Sequence, residues 1–157
     1  NTKLGKLGVL ICWDQWYPEA ARLMSLAGAD LLIYPTAIGW DLRDDIAERD
    51  RQLDAWITIQ RAHAVANGVP VLVANRTGFE ADPYNQDNGI DFWGNSFIVG
   101  PQGEFLAKAN SSQQGFINAS INMTRAESVR RIWPYLRDRR VDAYQGITKR
   151  WLADDQL

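Results

Sequence analysis

Cys12 is the only cysteine in the chain, and it stands where a nucleophile could be placed. A short apolar run, LGVLIC, ends on it and predicts a buried strand. Pro18 then suits the first turn of a helix, so the thiol lies between a strand and a helix N-terminus. Free N–H groups there could stabilise a thiolate and the oxyanion of a tetrahedral intermediate. A buried apolar role is the alternative, because cysteine is among the most buried residue types.

A nucleophilic cysteine needs a base, and the only histidine is His63, inside a predicted helix. Its spacing fits a buried or a partly exposed face, so a Cys12–His63 pair and a structural histidine are both open. No cysteine and histidine cluster has the spacing of metal ligands, and no glycine-rich phosphate loop precedes a helix. We therefore expect no metal site.

The segments around Cys12 predict an α/β fold. Three apolar runs are typical of buried strands, with helical spacing between them: LGVLIC (7–12), DLLIY (30–34) and VPVLVAN (69–75). Such strand–helix–strand units predict parallel strands. In open α/β sheets ligands bind beyond the carboxyl ends of the strands, where Cys12, Thr36 and Asn75 stand. The sequence therefore places Cys12 where a nucleophile would lie.

Later segments add an antiparallel part and two loops. We expect three further elements in chain order. They are a hairpin of NSFIVG (95–100) and EFLAKA (104–109), a strand at 115–122 and a short helix at 124–132. The hairpin makes the expected sheet mixed. Two acidic stretches, 39–50 and 76–93, are interpreted as loops, and a loop as long as the second is usually functional or flexible.

Composition limits the class of protein. The 157 residues fit one domain, and 46% hydrophobic residues can supply its core. A net charge of −2 gives no overall preference for nucleic acid or membrane. A single cysteine argues against a disulfide framework, and no apolar run reaches the roughly 20 residues of a membrane span. With no signal peptide visible, we expect a cytoplasmic protein without a membrane partner.

The end of the chain is basic and aromatic. Between residues 125 and 151, arginines and lysines alternate with Trp133, Tyr135, Tyr144 and Trp151. We interpret residues 133–157 as a C-terminal arm that packs on the domain or on a partner subunit of a homo-oligomer. Nucleic-acid binding is the less favoured alternative for this pattern.

The residues from Cys12 to Glu19 read CWDQWYPE and fit the pattern Cys-x-Asp-x-x-x-Pro-Glu. This pattern resembles the nucleophile elbow of the nitrilase superfamily of carbon–nitrogen hydrolases. Further segments agree in order along the chain: Tyr34-Pro35-Thr36, Arg61-x-x-Ala64-x-x-Asn67-Gly68, Asn75-Arg76 and Gly94 to Gly103. Within the superfamily the chain is most similar to the N-carbamoylputrescine amidases, through stretches such as DAWITIQRAHAVANGVPV and RRIWPYLRDRRVDAY.

The resemblance implies a fold and a mechanism. Residues 1–157 would be the C-terminal part of a single hydrolase domain, half of a four-layer α-β-β-α sandwich. Cys12 would form a carbamoyl thioester, and the backbone N–H of Trp13 would stabilise the oxyanion. No cofactor is implied. The family's Glu base, its Lys and a second Glu precede the cysteine, so this chain should be inactive without the missing N-terminal half.

Residues beside the nucleophile indicate the substrate class. Related hydrolases of carbamoyl amino acids carry Arg at the two positions after the elbow Asp, where this chain has Gln15 and Trp16. No cation is offered there to a substrate carboxylate. The acidic and aromatic loops instead favour a protonated amine. The substrate-binding candidates are Gln15, Trp16, Thr36, Ala37 and Trp93, and a small carbamoylated amine, N-carbamoylputrescine, is the expected substrate.

Other interpretations of these residues stay open. The loop acids could be solvated groups without a ligand: Asp41, Asp44, Asp45, Glu80, Asp82, Asp87 and Asp91. Asp14 could organise the turn, and Glu19 could complement the helix dipole. For the whole chain, the alternatives are another amidase of the superfamily, such as a β-ureidopropionase or an ω-amidase, and a non-catalytic half-domain.

Overall fold

Eight strands and three α-helices make up the regular structure of the described residues, 1–3, 5–86 and 88–152, in the computed structural model. The strands are β1 (Leu7–Val9), β2 (Leu31–Thr36), β3 (Gly39–Asp41), β4 (Val71–Asn75), β5 (Thr77–Ala81), β6 (Gly89–Trp93), β7 (Phe97–Val99) and β8 (Phe105–Lys108). The helices are α1 (Pro18–Leu26), α2 (Ile46–Asn67) and α3 (Met123–Ile132). Short 3-10 helices span Cys12–Trp16, Val141–Ala143 and Gln145–Thr148.

The main sheet is mixed, as the sequence predicts. Its strands lie in the order β1-β2-β4-β7-β8. β1, β2 and β4 are parallel, and β7 and β8 each run antiparallel to the strand before them in this order. Because Val73 near the end of β4 pairs with Phe97 at the start of β7, the start of β7 lies at the edge where the parallel strands end.

Local sequence accounts for the helix ends. α1 begins with Pro18, as predicted. α2 begins after Asp45, whose carboxylate accepts a hydrogen bond from the Glu48 N–H at 2.7 Å. It ends at Gly68, which has a φ of 61° in the left-handed region that closes many helices. α2 therefore presents a long, uninterrupted face to the sheet.

The two faces of the main sheet differ. One face packs on α1 and α2: a Cβ on Gly8 would lie 3.1 Å from the Met24 Cβ, and Phe97 packs edge-on against Trp56 at 5.6 Å between ring centroids. The opposite face is apolar and only partly covered, and it carries Leu7, Val9, Leu31, Ile33 and Leu72. That face is of the kind that a further layer of structure covers.

Two sequence predictions are wrong. Much of the predicted loops at 39–50 and 76–93 is regular: β3, β6 and β5 form a three-stranded antiparallel sheet in that order, and α2 begins at Ile46. The predicted strand at 115–122 is irregular, and Phe116 is almost fully exposed. Alternation is a local property of the sequence, whereas a strand also needs a neighbour that satisfies its backbone groups.

The end of the described chain follows the predicted helix. α3 spans Met123–Ile132, and the Asn122 side chain accepts from the Arg125 N–H at 2.9 Å. Beyond it the described part of the arm consists of turns and two short 3-10 helices, Val141–Ala143 and Gln145–Thr148, with Trp133 stacked on Tyr135. The last part of the predicted arm, 153–157, lies outside the described residues. Among the helices described, none has the length and apolar character needed to cross a membrane.

Candidate active site

The turn that carries Cys12 is the 3-10 helix between β1 and α1. Cys12 has a φ of 54°, in a region that residues other than glycine seldom adopt. Such strain persists only where surrounding contacts enforce it, and it is concentrated at functional sites. Asp14 supplies one of these contacts, since its Oδ2 accepts a hydrogen bond from the Ile11 N–H at 3.1 Å. The predicted structural role of Asp14 is therefore confirmed.

Trp13 follows the cysteine and exposes most of its side chain. Its indole Nε1 donates to the Tyr17 hydroxyl at 3.1 Å, and its ring meets that of Trp16 edge-on at 6.2 Å. The backbone N–H of Trp13 has no acceptor within the described part of the chain, as is usual for the first N–H groups of a helix. It is therefore free to bind an oxyanion, and that role stays a prediction.

Gln15 lies in the same turn and is fully buried. Its Nε2 donates to Thr36 Oγ1 at 3.2 Å, and its Oε1 accepts from the indole N–H of Trp56 at 2.8 Å. The side chain leaves no exposed surface for a substrate, and the contact predicted for Gln15 stays a prediction. The sequence indicates that Trp56 lies on the buried face of α2, but not that it reaches this turn.

His63 is buried on the same face of α2. Its Nε2 donates to the backbone carbonyl of Gln15 at 2.8 Å, because a carbonyl oxygen can only accept. Its ring stacks on Tyr34 with centroids 5.8 Å apart. Burial lowers the pKa of His63 below its ordinary value of 6.5, and the bond to Gln15 opposes that shift. Of the two interpretations that the sequence leaves open, the structure supports the structural histidine.

Three further substrate-binding candidates lie near the end of β2 or beside the cysteine. Thr36 is the last residue of β2, and its hydroxyl already accepts the bond from Gln15. Ala37 follows it and is exposed. Trp16 is half-buried, and its indole N–H is buried without a hydrogen-bond partner among the described residues. An unpaired buried donor is costly, and the indole N–H of Trp16 is such a donor within the turn that carries Cys12.

Trp93, the remaining candidate, ends β6 and is buried. It packs between Trp40 and Trp56, with ring centroids 5.6 Å from each. Its indole N–H is also buried without a partner in the described part of the chain. Trp93 therefore belongs to the hydrophobic core, and its contact with a substrate stays a prediction.

Residues 1–131 match the family model described as carbon–nitrogen hydrolase, and this range includes the whole turn around Cys12. The chain belongs to the carbon–nitrogen hydrolase family. The resemblance inferred from the residues around Cys12 is thereby confirmed.

Individual proteins of known name agree with this family. The chain is 44% identical over 148 residues to an N-carbamoylputrescine amidase of Solanum tuberosum, and the match covers 94% of this chain and 48% of that protein. It is 40% identical over 151 residues to a citrullinase of Francisella tularensis, and the match covers 96% of this chain and 51% of that protein. The chain thus spans about half the length of the curated relatives it matches.

A solved structure supports the fold. The crystal structure of a carbon–nitrogen hydrolase from Helicobacter pylori G27 matches with a TM-score of 0.93 and 54% identity, over 96% of this chain and 52% of that one. The predicted fold class, part of the α/β nitrilase-type sandwich, is therefore confirmed.

Asn75 connects several loops at the end of β4 through hydrogen bonds. Its Oδ1 accepts from the Ile38 N–H at 2.9 Å, and its Nδ2 donates to the carbonyls of Ile38 and Gly94, both at 3.0 Å. Its own backbone N–H donates to Ser96 Oγ at 2.9 Å. The sequence places Asn75 at the functional edge, but it does not reveal this connecting role.

The described acidic residues that were predicted to favour an amine already have partners within the chain. Asp41 pairs with Arg43, Asp91 lies 3.9 Å from Arg49, and Glu80 pairs with Arg76. Three others bond to neutral groups: Asp44 accepts from Gln52, Asp45 caps α2, and Asp82 accepts from the Tyr84 N–H. Asp87 lies outside the described residues. These contacts give each described acid a role within the chain, and the recognition of an amine by any of them stays a prediction.

Proposed function

We propose that this chain carries the nucleophile of a cysteine-dependent hydrolase that cleaves N-carbamoylputrescine to putrescine, carbon dioxide and ammonia. The observation that carries the proposal is the strained conformation of Cys12 next to the free N–H of Trp13. A sharp turn between a strand and a helix exposes a nucleophile and sets N–H donors beside it. The family membership then identifies the bond that is cleaved as a carbon–nitrogen bond.

The proposed reaction proceeds in two halves. The Cys12 sulfur attacks the carbamoyl carbon, and the Trp13 N–H donates to the oxyanion of the tetrahedral intermediate. The base is the upstream Glu that the family resemblance implies, and it takes the proton of the thiol. The bond from the carbamoyl carbon to the terminal nitrogen then breaks, and ammonia leaves with that proton. Water then attacks the carbamoyl thioester and releases Cys12 and a carbamate. The carbamate loses carbon dioxide and leaves putrescine.

The substrate class is supported by the relatives and by the residues at the turn. One relative is named for N-carbamoylputrescine, whose ureido group carries the scissile bond. Gln15 and Trp16 supply no cation to a substrate carboxylate. Because the loop acids are already partnered, they lend little support to recognition of the substrate amine.

Citrulline is the second candidate substrate. A relative at 40% identity is named citrullinase, and citrulline also ends in a ureido group. The two substrates differ at the far end, where citrulline carries a carboxylate beside its amine. Arg76 is the cation at the end of β4, and it is engaged by Glu80 and by the ring of Phe92 at 4.5 Å. That engagement favours the substrate without a carboxylate.

The test compares three ureido substrates with the natural gene product that contains this chain. Ammonia release is measured with N-carbamoylputrescine, citrulline and N-carbamoyl-β-alanine, and the first should have the highest kcat/KM. Cys12→Ala should abolish the release from all three, because no thioester can form. A higher kcat/KM with either of the other substrates would overturn the assignment, and activity in Cys12→Ala would overturn the mechanism.

We also propose that residues 1–157 by themselves are inactive. The Glu and Lys groups that the family resemblance implies lie upstream of the nucleophile, and members of such a catalytic unit are strongly interdependent. Release of ammonia from N-carbamoylputrescine by the purified 157-residue chain would contradict this.

A further inference from the structure

Three polar atoms of Gln15 form hydrogen bonds: the side-chain Nε2, the side-chain Oε1 and the backbone carbonyl oxygen. Its side chain bonds to Thr36 on β2 and to Trp56 on α2. Its backbone carbonyl bonds to His63, also on α2. A residue three positions after the cysteine is thereby fixed to a strand and a helix that are far from it in sequence. A fully buried glutamine with both amide atoms paired is a strong constraint on the turn that carries it.

The spacing on α2 explains how one helix reaches the turn twice. Trp56 and His63 are seven residues apart, which is close to two turns, so both lie on one face. Both are buried. Each presents one ring N–H, and each N–H meets a different oxygen of Gln15 at 2.8 Å. The helix therefore sets both the position and the rotation of Gln15.

The constraint acts on a strained nucleophile. Cys12 holds a φ of 54°, and a residue with a Cβ leaves this region unless its surroundings prevent it. Within the turn, the Asp14 N–H donates to the Ile11 carbonyl at 3.3 Å, the Tyr17 N–H donates to the Asp14 carbonyl at 3.2 Å, and the Ile11 N–H donates to Asp14 Oδ2 at 3.1 Å. The two bonds from α2 to Gln15 measure 2.8 Å. The turn is thus held from outside as well as from within.

We propose that Gln15, Trp56 and His63 are positioning residues that hold Cys12 in its reactive conformation, and that Gln15 does not contact the substrate. The inference rests on the proposed function only in treating Cys12 as the nucleophile. It replaces the substrate contact predicted for Gln15 by a role inside the protein. It also gives the buried histidine a use that needs no proton transfer.

Substitution of Gln15 tests the proposal in the natural gene product that contains this chain. Gln15→Leu keeps a similar volume and removes both side-chain bonds. We expect kcat to fall by about tenfold to a hundredfold, with KM changed by less than about threefold, because small displacements of a reacting group are costly. Ser25→Ala is the matched control: it removes a buried bond to Ala21 in α1, and kcat should change by less than about threefold.

Substitutions on α2 separate positioning from general loss of stability. His63→Gln retains an amide N–H that can reach the Gln15 carbonyl, whereas His63→Leu has no donor. Trp56→Phe removes the indole N–H together with part of the ring system and keeps an aromatic ring at this position. We expect kcat to fall by about tenfold or more in His63→Leu, less in Trp56→Phe, and to recover at least partly in His63→Gln relative to His63→Leu.

Hydrogen exchange gives a readout that needs no substrate. The N–H groups of Asp14 and Tyr17 should exchange at least about tenfold faster in Gln15→Leu, while those of β4 keep their protection. This result would support the positioning role of Gln15 even if none of the ureido substrates were hydrolysed, an outcome that would count against the proposed function alone. Two results would overturn the positioning role: a raised KM with unchanged kcat, and unchanged protection of the turn.

Discussion

The side-chain amide of Asn75 pairs with both backbone polar groups of Ile38, accepting from its N–H at 2.9 Å and donating to its C=O at 3.0 Å. Ile38 belongs to the segment between β2 and β3, so one side chain at the end of β4 fixes the chain that leaves β2. Paired strands exchange the same two bonds between their backbones, and here the side-chain amide of Asn75 takes the place of one backbone.

Loss of the Asn75 amide should therefore destabilise the fold. Asn75→Ala leaves the N–H and C=O of Ile38 and the C=O of Gly94 without these partners, and we expect the free energy of unfolding to fall by about 2–4 kcal/mol. Urea unfolding measures the change. Asn110→Ala is the control, because that exposed side chain bonds only within its own loop. Equal losses in the two variants would contradict the connecting role.

Cys12 should reverse the usual ranking of alanine and glycine. Cys12→Gly is expected to be more stable than Cys12→Ala by about 0.5–1 kcal/mol, because only glycine adopts a φ of 54° without strain. Thermal or urea unfolding of both variants checks this. At Ala20 in α1, where the backbone is helical, Ala20→Gly should instead destabilise by about 1 kcal/mol. An alanine variant at position 12 as stable as the glycine variant would mean that the position is not strained.

His63 should make stability depend on pH below neutrality. Its pKa in the fold is lowered by burial, so the unfolded chain takes up a proton near pH 6.5 while the folded chain stays neutral. The contribution of neutral His63 to the free energy of unfolding is therefore fully present above pH 6.5. It falls as the pH is lowered from there, by at most about 1.4 kcal/mol per pH unit. Urea midpoints at pH 7.5 and pH 5.5, taken as about one unit to either side of that value, measure it. His63→Gln should lack this part of the loss, and an equal loss in the variant would refute the assignment.

Tyr34 should tolerate the loss of its hydroxyl. The group is fully buried with no partner among the described residues, and burial, with a smaller contribution from the Asp14 charge, raises its pKa well above the usual range. Tyr34→Phe should leave the free energy of unfolding unchanged or raise it by about 1–2 kcal/mol, since an unpaired buried hydroxyl is costly. Tyr17→Phe, which loses only an exposed bond from Trp13, should stay within about 0.5 kcal/mol. A loss above about 1 kcal/mol in Tyr34→Phe would reveal a bonded partner for the hydroxyl.

The sequence predicts the parts of the fold whose signal is local. Apolar runs and a proline at position 18 locate β1, β2, β4 and α1 around Cys12, and the hairpin at 101–103 follows from its turn residues. β5 and β6 were not predictable in this way, because TGFEA and GIDFW contain glycine and acids that strands disfavour. Those segments are strands because they pair with each other and with β3.

The site divides along the same line. Cys12 and the Trp13 N–H belong to one short motif, and the sequence predicts both as candidates. The bonds from Trp56 and His63 to Gln15 join residues 41 and 48 positions apart, so no local pattern can report them. The sequence therefore suggested a substrate contact for Gln15, whereas long-range packing uses its amide inside the protein.

The main sheet is enclosed by helices on one face, and its other, apolar face is only partly covered. All the groups that bond to Gln15 come from β2 and from the helix-covered side. Setting the nucleophile and closing the open face are thus independent tasks within one fold. The geometry of Cys12 can therefore form before a further layer of structure covers the open face.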